Sequence, residues 1–524
     1  MKIIIKNVVG LIGLGLFGCC TLNSCKVKDV KNESTKHNLL LIIADQYRGD
    51  CIGAEGSSWI HTPNIDKLAN EGVLFTNGYT SVPSCLPARA AILTGKSPWA
   101  HGMLTYTNIP ERYEYEMPRM LNDAGYYTIA VGKNHFNGES EAELKKRITH
   151  GYAEMHLEEG WRTRFDTVDS TNCDYGNWFY TQTKGLDINA TGLGYVDHRG
   201  ERHFLHQDSL HPSNWTSARA IDFLRSDQAN KPWMMKISYQ RPHPPFDPIE
   251  KWLNFYRDRK IPEAEVGNWA EERYKDLQAS SINENPNSPK GKYSNSEILE
   301  SRRAYYAAIS HVDEQIGEVI NVLKENSQYE NTLIIFTSDH GDMMGDHFMW
   351  RKCRPYDAST RVPFIIRWPE GIDTKTKRGQ TSDKLVELRD ILPTFLSIAQ
   401  VEQPKEMDGL SIFDLLNGQK WRTTLDLEHG QIYEKDNAWV ALTDGRYKYI
   451  YFTLTGEEQL FDLVNDNHEK INLIGDPSYE NTHKQWRQKM IKHLSVRGDD
   501  WVKNGDLVVQ DKSIKWRPGY PQTL

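Results

Sequence analysis

Four apolar runs in the chain end in residues that can bind a metal or move a proton. Run 39–44 leads into Asp45-Gln46, run 126–132 into Lys133-Asn134-His135, run 233–240 into Arg241-Pro242-His243, and run 333–338 into Asp339-His340. The oxygen-bearing Asp45, Gln46 and Asp339 suit a hard cation, Ca²⁺ or Mg²⁺, better than zinc, which favours His and Cys; His340 is the less comfortable calcium ligand. Lys133, His135, His243 and Arg89 add positive charge and exchangeable protons. Such a pocket neutralises an ester anion and protonates a leaving oxygen. Taken singly, these residues are ordinary: an Asp after a strand caps a helix, and a lone His is usually packing or surface. Their recurrence after successive apolar runs points to a site, because open α/β sheets bind ligands at the carboxyl ends of their strands.

The stretch SCLPARAAILTG at 84–95 completes the set. A buried structural cysteine is the plain reading of Cys85, and residues 90–93 are core packing in any case. A helix N-terminus, however, offers free N–H groups to an oxyanion, and proline favours that position. Cys85 therefore falls where a nucleophile facing a bound sulfate or phosphate would sit, with Arg89 one turn along.

Positioning these residues requires a sheet. The apolar runs lack alternation, as strands buried on both faces of a parallel sheet do, and run 362–368 adds a fifth. Helical patterns lie between them, near residues 65, 120 and 223 and from Arg302 onward, so the order predicts a doubly wound α/β sheet flanked by helices. The polar, irregular stretch at about 154–212, with Trp161, Trp178 and Tyr180, predicts an insertion over one sheet edge. From about Trp421 the pieces WVALTDG, YKYIYFT and EQLFDLVND, separated by Asp-Gly and Thr-Gly, predict hairpins closed by a helix near 482–494. The expected organisation is a signal segment 1–25, a tether 26–37, a catalytic domain 38–420 and a smaller C-terminal α+β subdomain 421–524 carrying an antiparallel sheet.

With 63 Lys and Arg against 71 Asp and Glu, the 524-residue chain has a net charge of -8. That argues against a nonspecific nucleic-acid binder and leaves room for a local cationic pocket. A 38% apolar, 26% charged composition excludes a polytopic membrane protein. Lys2 and Lys6 precede an apolar run at 8–17 that is too short to span a bilayer and has the layout of an export signal. Leu16-Phe17-Gly18-Cys19 resembles a lipobox and Leu22-Asn23-Ser24-Cys25 is a second candidate, so the expected location is the periplasm or cell surface with a lipid anchor at Cys19 or Cys25. Seven cysteines without a CxxC pair form neither a zinc ribbon nor a disulfide scaffold. One bridge among Cys51, Cys173 and Cys353 stays open.

Cys85-Leu86-Pro87-Ala88-Arg89, followed by Leu93-Thr94-Gly95, resembles the C-x-P-x-R signature of the formylglycine-dependent (type I) sulfatases. Gly132-Lys133 with His135, His243-Pro244-Pro245-Phe246, Thr337-Ser338-Asp339-His340-Gly341 and Lys352 before Tyr356-Asp357 resemble that family's other segments in the same order, over nearly the whole mature chain. The resemblance implies an alkaline-phosphatase-like mixed sheet and a Cys85 oxidised by a formylglycine-generating or anaerobic sulfatase-maturating enzyme to a formylglycine that acts as its hydrate. It also implies one Ca²⁺ held by Asp45, Gln46, Asp339, His340 and the modified Cys85. Arg89, Lys133, His135, His243 and Lys352 would form the sulfate pocket, with His243 or Lys352 protonating the leaving alcohol and His135 acting as the later base. Gln46 stands where the family often has a second aspartate, and His340 where it often has asparagine.

A phosphonate or phosphodiester hydrolase of the same superfamily is the competing enzyme reading, and a non-catalytic glycan-binding lipoprotein the competing binder. The oxygen-rich ligand set speaks against the first and the full complement of reactive residues against the second. Export together with Trp161, Trp178 and Trp215, whose rings could stack on sugar faces, points to sulfated polysaccharide or its oligosaccharides, of the ulvan or glycosaminoglycan kind.

Overall fold

The computed structural model describes residues 36–136, 146–159, 173–186 and 203–521. The export segment with Cys19 and Cys25, and Trp161 in the expected insertion, lie outside the described residues.

Asn38–Ala44 forms strand β1, Val73–Phe75 β2, Tyr127–Gly132 β3, Glu154–Leu157 β4, Trp233–Tyr239 β5, Thr332–Thr337 β6, Phe364–Arg367 β7 and Gln380–Ser382 β8. They build one eight-stranded sheet in the order β4-β3-β5-β1-β6-β7-β2-β8. β4, β3, β5, β1 and β6 run parallel, and β7 is antiparallel to both β6 and β2. This is the mixed sheet that the resemblance implied; run 362–368, read with the parallel set, runs the other way, a direction its apolar pattern cannot encode.

Strand β1 shows why the runs lack alternation. Leu40, Ile42 and Ala44 pack on one side with helices α1 (Pro63–Asn70), α4 (Pro212–Leu224) and α5 (Asn295–Glu325). Leu39, Leu41 and Ile43 pack on the other with α2 (Cys85–Thr94) and α6 (Ile391–Ala399). Both faces are dry, so every position is apolar.

Register then places the chemistry. Ala44 pairs with Tyr239, Ile43 with Thr337 and Gly132 with Ser238. The four carboxyl ends are therefore level, and Asp45, Lys133, Gln240 and Ser338 leave the sheet side by side. Helix α2 starts at the same edge. Ser84 before it is extended (φ -155°), and Gly95 after it takes φ 66° and donates to the Ala91 carbonyl at 2.9 Å. A Cβ on Gly95 would lie 2.6 Å from the Met407 sulfur, so only glycine fits this cap.

The stretch read as an insertion opens with edge strand β4, whose Met155 and Leu157 are buried while Glu154 and His156 are half-buried. Further along it, α3 (Asp174–Gln182) packs Tyr175 and Phe179 with Phe204 and Trp215. The smaller C-terminal α+β part carries the expected antiparallel sheet, within the compact unit beginning at His37. Its strands β9 (Leu425–His429), β10 (Trp439–Thr443), β11 (Tyr447–Phe452) and β12 (Glu458–Asp462) form an antiparallel meander. One face lies under α7 (Glu480–Ser495) through Trp486, Met490 and Leu494. The other packs Leu427, Trp439, Ile450 and Phe461 on Tyr79, Met343 and Tyr356. Cys51, Cys173 and Cys353 are separate buried thiols, so the open disulfide is not formed.

Candidate active site

Cys85 begins α2 and is 1% exposed. Its Sγ lies 3.0 Å from Lys352 Nζ, 3.1 Å from His340 Nε2, 3.6 Å from the Tyr106 hydroxyl, 3.9 Å from Asp45 Oδ1 and 4.0 Å from Lys133 Nζ. Burial and Asp45 push the thiol up, but Lys133, Lys352 and His340 outweigh them and lower its pKa to about 6. A thiolate-favouring setting is what an anion pocket imposes on any acid placed in it.

Arg89 holds the pocket together. Its Nε donates to Asp339 Oδ2 at 3.1 Å, one terminal nitrogen to the Lys133 carbonyl at 2.6 Å and Ser238 Oγ at 3.0 Å, and the other to Asp45 Oδ2 at 3.2 Å. One guanidinium thereby ties residues from the ends of β1, β3, β5 and β6. Its planar fork makes this possible, and a lysine could not reproduce it.

Asp45, Cys85, Asp339 and His340 are all buried, and each offers a ligand atom within 4.8 Å of the others. His340 Nδ1 donates to the Gly341 carbonyl at 2.9 Å, which fixes the ring and turns Nε2 toward the cluster. Two buried carboxylates with an oriented imidazole fit a divalent cation; an oxygen at Cys85 in place of sulfur would shift the set toward a hard one.

Protons are unevenly held around this cluster. Burial opposes the charge on Lys352, but Cys85 and Asp45 keep its pKa above the usual lysine range. Burial, then Lys352 and Lys133, press His243 well below the usual histidine range, and its Nδ1–H is fixed on the Pro244 carbonyl at 2.7 Å. Asp45 is held well below the carboxylate range: burial raises it, and Lys133, His243, Lys352 and Arg89 more than reverse that.

Gln46 is held at both ends of its amide. Its Nε2 donates to Asp342 and its Oε1 accepts from Lys352 Nζ at 3.0 Å, so its oxygen reaches Cys85 through the lysine. The contacts described for His135 are made by its main-chain N–H, which donates to both Glu159 oxygens at 3.0 Å, and do not join its ring to Cys85. Trp215, 3% exposed, packs against Tyr175 at 5.6 Å and offers no open face to a sugar, a correction to the stacking expectation. Trp178 is partly buried in the same cluster.

Two residues, Tyr106 and His429, escaped the sequence reading, and Asp342 closed a strand-end segment without being given a role in it. Asp342 orients Gln46 and accepts from the main chain of Met344 and Arg351 at 2.8 and 3.0 Å. Tyr106 touches Cys85, and His429, at the end of β9, places Nε2 3.0 Å from Ser84 Oγ. Neither Tyr106 nor His429 sits in a local motif; Asp342, three residues after Asp339 in a loop rich in acids, carried the only local signal.

A profile of the sulfatase family matches residues 37–401, and one described as N-sulphoglucosamine sulphohydrolase, C-terminal, matches residues 345–495. The chain is 36% identical over 477 residues to an arylsulfatase of Clostridium perfringens, covering 90% of this chain and 97% of that one. It is 28% identical to an ulvan-active sulfatase of Formosa agariphila, covering 92% and 86%. It superposes on a phosphonate monoester hydrolase of Agrobacterium radiobacter with a TM-score of 0.72 at 23% identity, covering 88% and 96%, a likeness of fold. With matches of this length and a buried ligand cluster around Cys85, the chain belongs to the sulfatase family and is a sulfuric ester hydrolase.

Proposed function

We propose that the protein is an exported enzyme that removes sulfate from sulfated polysaccharide or its oligosaccharides, of the ulvan or glycosaminoglycan kind. In this reading a maturase converts Cys85 to formylglycine, and Asp45, Gln46, Asp339, His340 and the Cys85-derived oxygen hold one Ca²⁺. The observation that carries it is Cys85 at the head of a buried helix, 3.0 Å from Lys352 and 3.1 Å from His340, inside a ligand cluster. The likeness to an ulvan-active sulfatase supports the substrate class, and the lysine-led apolar start supports export and anchoring at Cys19 or Cys25.

The hydrated aldehyde supplies an oxygen nucleophile and a way to expel sulfate, and the cation neutralises charge on the ester. The side chains do the rest. Arg89 fixes Asp45 and Asp339, so the ligand cage does not reorganise during reaction. Lys133, paired with Asp45, and Lys352 bring positive charge to the sulfate oxygens. Lys352 Nζ carries a proton for the leaving oxygen, while His243, fixed through Nδ1, keeps Nε2 for proton exchange.

The test is a panel of defined sulfated oligosaccharides read by mass, run beside a phosphate diester and a phosphonate monoester, with and without EGTA. Sulfate release from at least one glycan, lost in EGTA and restored by Ca²⁺, is expected. A preference for the phosphorus esters by orders of magnitude would overturn the reading, as would binding of the glycans without release of sulfate.

A further inference from the structure

A sulfate ester has two halves, and the charged groups around Cys85 answer the charge of the sulfate and of the leaving oxygen. Tyr106 brings a phenol into hydrogen-bonding contact with Cys85 Sγ, at 3.6 Å. It is half-buried, and its segment is pinned from outside. Leu104 N–H donates to the Lys515 carbonyl at 3.0 Å, Met103 bridges Trp516, and Trp516 Nε1 donates to Thr107 Oγ1 at 2.9 Å.

Tyr433 approaches from the loop between β9 and β10. Its hydroxyl accepts from Cys353 Sγ at 3.9 Å, one residue beyond Lys352, and it lies close enough to act electrostatically on both Tyr106 and Lys352. Its φ is 64°, a left-handed conformation that a side chain with a Cβ seldom adopts. The loop is fastened in that shape. Asn437 Nδ2 donates to the carbonyls of Cys353 and Ile432, both at 3.1 Å, and Glu434 accepts from Arg354 at 2.8 Å and pairs with Lys290 at 2.6 Å.

We propose that Tyr106 and Tyr433 form the leaving-group wall of the site: specificity-determining residues that seat a sugar ring against aromatic carbon and hydrogen-bond its free hydroxyls. The inference rests on the sulfatase reading. Lys133, Lys352 and Arg89 carry the charge around Cys85, and Tyr106 borders it with a phenol, which leaves the aromatic side for the alcohol half. An amphipathic ring with a hydroxyl tip matches a pyranose, which has apolar faces and a polar rim.

The test compares wild type with Tyr106→Phe, Tyr433→Phe and Tyr106→Ala, each normalised by its formylglycine content from mass and checked by thermal unfolding. Substrates are a sulfated monosaccharide and 4-nitrophenyl sulfate, with inorganic sulfate as competitive inhibitor. The Phe variants should lose ~10-fold in kcat/KM on the sugar, mostly through KM, and distinctly less on 4-nitrophenyl sulfate and in sulfate inhibition. Tyr106→Ala, which also removes the ring, should impair both esters and still leave sulfate inhibition in place. Equal changes for both esters and for sulfate in the Phe variants would assign the tyrosines to the sulfate half and overturn the inference, as would no change at all. A matured wild type that cleaves neither ester would instead remove the sulfatase reading beneath it.

Discussion

Lys352 and His243 share one carboxylate neighbour, Asp45, and differ in what they do with a proton. Lys352 keeps its charge because Cys85 and Asp45 outweigh the cost of burial; His243, pressed by burial and two lysines, does not. In the proposed reaction the resting proton for a leaving alkoxide therefore sits on Lys352 Nζ. Replacing Lys352 by Ala should slow sulfate esters of sugar alcohols by ~10²–10⁴. The loss on 4-nitrophenyl sulfate, whose leaving group needs no proton, should be far smaller. The measurement is kcat against leaving-group pKa across a series of esters: a steeper slope is expected, and a uniform loss would place the proton elsewhere. At this scale much of the site was legible. Cys85, Arg89, Lys133, His243, Asp339, His340 and Lys352 all lie in short motifs, four of them directly behind apolar runs, and the sheet register brings those ends level. Tyr106 and His429 were not legible, because their proximity to residues 84 and 85 is made by folding and leaves no pattern along the chain.

The element that joins the two sheets at the site is β9. His429 donates Nδ1–H to the Gly430 carbonyl at 2.6 Å, so its Nε2 accepts from Ser84, the fully buried residue just before Cys85. Burial lowers the His429 pKa to about 4, so it works as a neutral acceptor. His429→Ala would leave the Ser84 hydroxyl without this partner, at a cost of ~1–3 kcal/mol. Displacing the start of α2 should lower kcat ~10–100-fold in matured enzyme. Thermal melting and kcat together check this; full activity with a lowered melting point would confine His429 to stability. Element boundaries show what pattern reading can reach. The five long apolar runs are strands where expected, whereas the three-residue β2 and β8 are too short to carry a period. Helix α5 begins at Asn295 rather than near Arg302, because its first turns are largely exposed and its buried stripe starts at Ser301. The start was nonetheless written as a capping box, Ser294 with Glu297. Trp215 looked like a sugar platform because a ring's exposure cannot be read from its type.

Across the whole molecule, α5 is bound to α1 through one carboxylate. Asp313 accepts from the main chain of Asn64 and Ile65 at 3.1 and 2.8 Å, and burial pushes its pKa up to about 7 despite those donors. Between its unfolded value of ~3.9 and 7, the folded chain keeps a proton that the unfolded chain releases. The group's contribution is thus complete below pH ~4 and is lost as pH rises through 7. Asp313→Asn cannot ionise, so its Tm relative to wild type should climb by roughly 2–4 °C between pH 5 and 8. A difference that stays constant over that range would mean that Asp313 is already ionised in the folded protein.

Arg89 bears on the same scale from the centre. One buried guanidinium closes four strand ends and both carboxylates of the ligand cluster. Removing one partner of such a buried ionic set costs ~3–5 kcal/mol, a large share of the 5–15 kcal/mol that holds a typical domain folded. The sheet edge and the ligand cage therefore have no separate existence: whatever loosens one dissolves the other. Turnover reports the intact fraction of the enzyme, and heat or denaturant extinguishes it together with the native sheet, with no slack but ordered form between.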